Sequence, residues 1–260
     1  METMHKKIAK SFLFSFVTTV FLFLPQSKAA QGPVFYQVEG ERFEGYYLSP
    51  KEKAPLVLLV HDWDGITAYE QKRAQMLFEL GYAVFAPDLF GAGIRPTTPE
   101  EKKSLTASLY KNRERMRKLL DAGIQEAKQQ GADISNSIAM GYCFGGAAVL
   151  ELARSGADLK GFVSFHGGLE TPEGQNYQNV RGKTLVLHGT ADASVSMEHF
   201  AKLAQALEEQ GKPHEMITYS GAPHAFTVFG TDRYREDADK KSWQRFTGFL
   251  KETLHPASGN

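Results

Sequence analysis

The sequence predicts an α/β fold, with a mostly parallel central sheet, an N-terminal antiparallel hairpin and helices on both faces. Three observations carry this. From residue 56 onward, short apolar runs alternate with longer stretches of helical periodicity. Runs that are apolar at every position belong to strands covered on both faces, the condition of a parallel sheet. Ahead of them, two strand-like segments flank Glu39-Gly40-Glu41, the pattern of a hairpin.

Val34 to Val38 and Phe43 to Leu48 form the arms of that hairpin. Leu56 to Val60 is the first fully apolar strand. Ala68 to Leu80 carries Ala74, Leu77 and Phe78 at helical spacing, and Gly81 stops the helix. Ala83 to Ala86 is the next strand, ended by Pro87. Pro99 to about Gln130 places Leu105, Leu109, Met116, Leu119, Leu120, Ile124 and Ala127 on one face of one long helix or two. Its charges, from Glu100 to Lys118, read as a solvated face. Ser137 to Met140 is a strand and Phe144 to Arg154 a helix. Strands follow at Phe162 to Phe165 and Thr184 to Leu187, then a helix at Glu198 to Gln210 closed by Gly211. Glu215 to Tyr219 is the last strand, and Asp237 to Leu254 the last helix, with Trp243, Phe246, Phe249 and Leu250 on one face. Gly91 to Thr98 and Gly167 to Gly182 are the most loop-like segments and are expected at the pocket rim.

The chain has 260 residues, with 30 basic and 30 acidic side chains. The balance gives no reason to expect a nucleic-acid surface. Residues 1–30 read as a secretory signal peptide, and residues 31–260 as one domain. Lys6, Lys7 and Lys10 precede an apolar stretch from Ser11 to Leu24, Pro25 breaks it, and small residues lead to expected cleavage after Ala29 or Ala30. The apolar stretch is short for a membrane span, so no stable anchor is expected and the mature protein is periplasmic or secreted. Cys143 is the only cysteine. In an oxidising compartment a thiol with no internal partner is a liability unless it is buried or useful.

Cys143 sits in Gly141-Tyr142-Cys143-Phe144-Gly145-Gly146, directly after a strand and directly before a helix. That is the Gly-x-nucleophile-x-Gly pattern of a sharp turn, with a thiol at its apex. Two further strands run into polar loops, at Leu185 to Val195 with Asp192 and at Gly221 to Phe226 with His224. The ends of parallel strands are where such sheets place catalytic groups. The chain order of nucleophile, acid and base is Cys143, Asp192, His224, the order of α/β-hydrolases.

The elbow, the Pro87-Asp88-Leu89-Phe90 turn, the Gly189-Thr190-Ala191-Asp192 loop and the Pro223-His224-Ala225-Phe226 loop together resemble the dienelactone hydrolase family. The likeness spans about residues 34 to 254. It implies an α/β-hydrolase fold that cleaves small esters or lactones; no cofactor is expected. By position it implies Cys143 as nucleophile, His224 as general base and then acid, and Asp192 as the residue that orients His224. It implies oxyanion donors at the backbone N–H groups of Trp63 and Phe144. The family also has a glutamate near the thiol; Asp62, one methylene shorter, occupies the matching place here. Arginines that hold a substrate carboxylate in the family are absent from the matching stretches Gly91-Ala92-Gly93 and Thr227-Val228-Phe229, with Arg95 and Arg233 off register. A neutral ester is therefore the expected substrate.

His166 and His188 also follow apolar strands and are read as hydrogen-bonded in place. His61 with Asp62 and Asp64 lacks the ligand spacing of a metal site, so no metal is expected. Two other function classes compete with a hydrolase. One is a non-catalytic exported binding protein that keeps a hydrolase-like pocket. The other is a thiol redox or acyl-carrier role, which lacks a second cysteine to resolve a disulfide.

Overall fold

A computed structural model of the chain describes residues 30–254. The segment read as a signal peptide lies outside the described residues, apart from Ala30. Fourteen elements follow in chain order. The strands are β1 (Ala30–Val38), β2 (Glu41–Ser49), β3 (Pro55–Val60), β4 (Ala83–Ala86), β5 (Asp133–Tyr142), β6 (Gly161–Phe165), β7 (Lys183–Gly189) and β8 (His214–Tyr219). The helices are α1 (Ala68–Glu79), α2 (Pro99–Lys111), α3 (Arg113–Gln129), α4 (Phe144–Arg154), α5 (Met197–Glu209) and α6 (Glu236–Thr253).

The eight strands form one sheet in the order β1-β2-β4-β3-β5-β6-β7-β8. β1 and β2 form the antiparallel hairpin, β2 pairs antiparallel with β4, and every other pair is parallel. The expected fold class is therefore the observed one. β5 lies beside β3 and β6, with Val60 opposite Gly141 and Tyr142 opposite Phe165. This puts the turn after β5 in the middle of the sheet's C-terminal edge.

Successive side chains of a strand point to opposite faces. Leu56, Leu58 and Val60 of β3 pack with Leu109, Met116, Leu119, Val149 and Leu203, which come from α2, α3, α4 and α5. Val57 and Leu59 pack on the other face with Ala74 and Leu77 of α1 and Phe246, Phe249 and Leu250 of α6. All six β3 residues are buried, which explains the uninterrupted apolar run. Burying one such side chain contributes about 1.5–3 kcal/mol, so the run fixes the strand at the sheet's centre.

The stretch at 99–130, read as one long helix or two, is two. Asn112 breaks it, and its side-chain oxygen accepts the N–H of Arg115 at 3.0 Å, capping α3. The expected rim needs correction. Gly168 of the 167–182 segment lines the cavity at Cys143, but no residue of the 91–98 segment does. Ile94, Arg95 and Pro96 line a separate shallow recess with α2.

Candidate active site

The turn after β5 is built from glycines because nothing larger fits. A Cβ on Gly141 would meet the Gly145 backbone, and one on Gly145 would meet the carbonyl oxygens of Val60 and His61. A Cβ on Gly146 would lie 2.6 Å from the Ser164 hydroxyl. Strand β5 and helix α4 thus pass each other at backbone contact. Cys143 itself has φ of 52° and ψ of −115°, a conformation that costs a non-glycine residue about 1–3 kcal/mol. Its N–H donates to the Phe165 carbonyl at 3.1 Å, which pins the apex to β6. The thiol is half-buried.

The loops after β7 and β8 bring two side chains to it. His224 Nε2 lies 3.1 Å from Cys143 Sγ, and His224 Nδ1 lies 2.8 Å from Asp192 Oδ2. The other oxygen of Asp192 accepts the N–H groups of Ser194 at 2.8 Å and Val195 at 2.9 Å, so the carboxylate cannot swing. Burial alone would raise Asp192. The hydrogen bond and charge of His224 and these two N–H groups outweigh it and hold the carboxyl below the usual range. Burial likewise pulls His224 down, but its hydrogen bonds to Asp192 and Cys143 and the charges of both push it up to about 10. The arrangement favours a protonated imidazole beside the Asp192 carboxylate.

Cys143 and His224 line a cavity of about 350 Å³ together with Asp62, Trp63 and Phe144. Among the described residues, no protein acceptor takes the N–H of Trp63 or of Phe144. Asp62 is buried in the wall, and burial pushes its carboxyl up to about 6. Its Oδ1 accepts the N–H of Asp64 at 2.8 Å, and no hydrogen bond joins it to Cys143 among the described residues. A larger recess of about 850 Å³ lies at the opposite end of the sheet, by Lys160, Lys183 and Pro213 where β6, β7 and β8 begin. It contains none of these groups.

The other strand-end histidines hold loops. His188 Nε2–H donates to the Val195 carbonyl at 3.0 Å, bracing the loop that carries Asp192. His61 Nδ1–H donates to the Asp62 carbonyl at 2.6 Å while its Nε2 accepts the Leu89 N–H at 3.2 Å. His166 Nε2 and Thr227 Oγ1 are 2.8 Å apart, and the His166 ring meets that of His224 edge-on at 5.4 Å. Burial pulls both His61 and His166 down, so both are neutral.

Two residues, Tyr110 and Glu70, escaped the sequence reading, and Arg233, read there as off register, lies at the site. Tyr110 and Arg233 line the cavity, and Arg233 makes no ion pair among the described residues. Glu70 is fully buried behind the Asp62 loop, its Oε1 without a hydrogen-bond partner. Burial and the nearby Asp62 carboxyl push it up to about 8. The sequence did contain a signal for it. Thr67-Ala68-Tyr69-Glu70 is a capping box, and Glu70 Oε2 accepts the Thr67 N–H at 2.8 Å.

Similarity to known proteins agrees with this geometry. The profile of the dienelactone hydrolase family matches residues 43–254. A carboxymethylenebutenolidase homolog from Mus musculus is 27% identical over 221 residues, covering 82% of this chain and 87% of that protein. Among solved structures, m3DLH has a TM-score of 0.80 at 29% identity, covering 86% of this chain and 98% of its own. A dienelactone hydrolase-like promiscuous phosphotriesterase, P91, from metagenomic libraries has a TM-score of 0.80 at 27% identity, covering 87% of this chain and 100% of its own. The match spans the elbow and both loops, so the chain belongs to the dienelactone hydrolase family and is a hydrolase of carboxylic esters.

Proposed function

We propose that this chain cleaves small carboxylic esters or lactones with Cys143 as nucleophile, His224 as proton carrier and Asp192 as the group that orients it. The observation that carries the reading is the unbroken row from Asp192 Oδ2 through His224 to Cys143 Sγ, at 2.8 and 3.1 Å. A thiolate attacks an acyl carbon far better than a thiol does. A proton passed from Sγ to Nε2 leaves a thiolate beside an imidazolium, which Asp192 stabilises from the far side.

The thiolate then bonds to the substrate's carbonyl carbon, and the carbonyl π electrons move onto oxygen. The N–H groups of Trp63 and Phe144 would hold that oxyanion, and losing one such donor typically costs about 10²–10³-fold in rate. As the carbonyl re-forms, the bond to the alcohol oxygen breaks and that oxygen takes the proton from Nε2. An acyl thioester remains on Cys143. Water gives a proton to the now neutral His224 and attacks the thioester. The acid leaves, and the thiolate and imidazolium are restored. Asp62, facing the same cavity, is placed to influence the charge there.

The protein works outside the cytoplasm in this reading, because the basic start and apolar run of residues 1–30 form an export signal. Cell fractionation with N-terminal sequencing checks this; a mature chain beginning at Ala30 or Gln31 is expected, and an intact Met1 in the cytoplasm would contradict it. For the chemistry, Cys143→Ala is expected to lose turnover of 4-nitrophenyl acetate. Turnover equal to that of the unmodified chain would discard the nucleophile assignment. Stoichiometric labelling of Cys143 without turnover on any ester would favour a binding protein instead.

A further inference from the structure

The cavity at Cys143 is one lobe of a longer cleft. A second cavity of about 400 Å³ adjoins it and shares four wall residues with it, Tyr110, Gly168, Ser194 and Val195. Tyr110 and Gly168 form the neck. A Cβ on Gly168 would lie 3.3 Å from the Ala147 side chain and 3.7 Å from the Tyr110 hydroxyl, so glycine keeps the passage open. The Tyr110 hydroxyl makes no hydrogen bond among the described residues. Burial raises it, and it feels the charges of Cys143, Arg113 and Glu170 together, which places it between the lobes.

Two arginines, Arg113 and Arg154, line the second lobe. Beneath it the fully buried Glu151 accepts from three guanidiniums, those of Arg113 at 3.0 Å, Arg117 at 2.7 Å and Arg154 at 2.8 Å. Arg154 commits its remaining nitrogens to Gln175 and Tyr177. Arg113 commits only Nη1, leaving Nε and Nη2 without a protein acceptor among the described residues. Its guanidinium lies over the Tyr110 ring at 5.4 Å, at the lobe's wall. Glu170, the acidic residue of this lobe, is mostly exposed and paired with His199 at 3.1 Å.

We infer that the second lobe is an acyl subsite whose Arg113 holds an anionic group at the far end of the substrate's acyl chain. The inference rests on the hydrolase reading above and names its substrate class: monoesters of dicarboxylic acids, longer than a simple acetyl ester. The acyl side is assigned because His224 lines only the first lobe, and the alcohol oxygen must leave beside it. The neutral ester expected from the missing family arginines gives way to an acid recognised elsewhere in the fold.

The test compares three esters: 4-nitrophenyl acetate, 4-nitrophenyl hydrogen adipate, and its methyl diester, which has the same length without the charge. The chain is expected to prefer the free-acid ester to the methyl diester by roughly tenfold in kcat/KM, mostly through KM, as one charge-assisted contact gives. Arg113→Gln is expected to erase that preference, read as the ratio of the free-acid to the methyl diester kcat/KM within the same protein, and Arg113→Lys to keep most of it. No preference in the unmodified chain overturns the proposal. So does a preference that survives Arg113→Gln, or one that only Arg233→Gln removes. Calorimetric titration with adipate tests the lobe without turnover. Binding weakened roughly tenfold in Arg113→Gln upholds the subsite even if no ester is hydrolysed, and equal binding overturns it even if esters are.

Discussion

Replacing Asp192 by Asn tests how the row of three groups works. Asp192 Oδ1 is occupied by the N–H groups of Ser194 and Val195, and Oδ2 accepts from His224. An asparagine that keeps its oxygen on the two N–H groups must turn its NH₂ toward Nδ1. Nδ1 then has to accept, the ring proton sits on Nε2, and neutral His224 cannot take a proton from the thiol. The carboxylate's charge is lost as well. An ordinary histidine titrates near 6.5, and His224 is raised to about 10. That rise corresponds to roughly 5 kcal/mol of preference for the charged ring, at about 1.4 kcal/mol per tenfold. Removing Asp192 takes away its share of that preference and so depletes the thiolate–imidazolium pair. The wrong tautomer adds to this, and kcat/KM for 4-nitrophenyl acetate is expected to fall about 10²–10⁴-fold. Stopped-flow release of 4-nitrophenol between pH 5 and 10 measures it, with circular dichroism to check folding. A folded Asp192→Asn protein within threefold of the unmodified chain, with the same pH profile, would refute the reasoning.

Other outcomes follow from the buried charges. Glu151 is fully buried against three arginines, so Glu151→Ala should cost about 3–5 kcal/mol in urea unfolding, far more than an exposed ion pair such as Lys240–Glu236. Glu70 is raised to about 8 by burial and by Asp62. Its folded pKa lies above its unfolded one, so the stability it contributes is fully present below about pH 4.5 and is lost as pH rises through about 8. Glu70→Gln keeps the capping oxygen and removes the charge, and it should raise the melting temperature at pH 9 while changing little at pH 4.5. His224 acts in the same direction: its share is full below about pH 6.5 and lost through about 10. Asp192 is lowered, so its share is present above the ordinary carboxylate range and lost as pH falls through its folded value. Melting curves of His224→Gln and Asp192→Asn from pH 3 to 10 should separate the two; identical pH dependence in all three proteins would contradict these signs.

The sheet and its helices were legible because β3 and β5 to β7 are buried on both faces and write that burial directly into runs such as Leu56 to Val60. The elbow was legible because Gly141, Gly145 and Gly146 answer to backbone contacts that admit no Cβ. Two helices at 99–130 were an open alternative, but the break could not be placed at Asn112, since neither Pro nor Gly marks it and only the side-chain cap on Arg115 sets it. The insertion of β4 between β2 and β3 is a tertiary choice with no local signal. The site divided in the same way. Cys143, Asp192 and His224 each sit at a strand end that the apolar runs reveal. Tyr110 and Arg113 come from the junction of α2 and α3, and Arg233 from the loop before α6. Tyr110 and Arg113 read as ordinary helix surface until packing folds them over the strand ends, and Arg233, read as off register, is brought to the cavity by its loop. Glu70 reads as a first-turn helix acid, and only the three-dimensional packing of α1 shows that it has lost its water.

The central claim is that the sulfur of Cys143 carries the acyl group between the two halves of the reaction. Rapid-quench mass spectrometry of the chain mixed with 4-nitrophenyl acetate tests it most directly. The account predicts an acetylated peptide containing Cys143 within the first turnover, decaying as substrate is exhausted and absent in Cys143→Ala. Steady turnover with the acetyl group on any other residue, or on none, would contradict it.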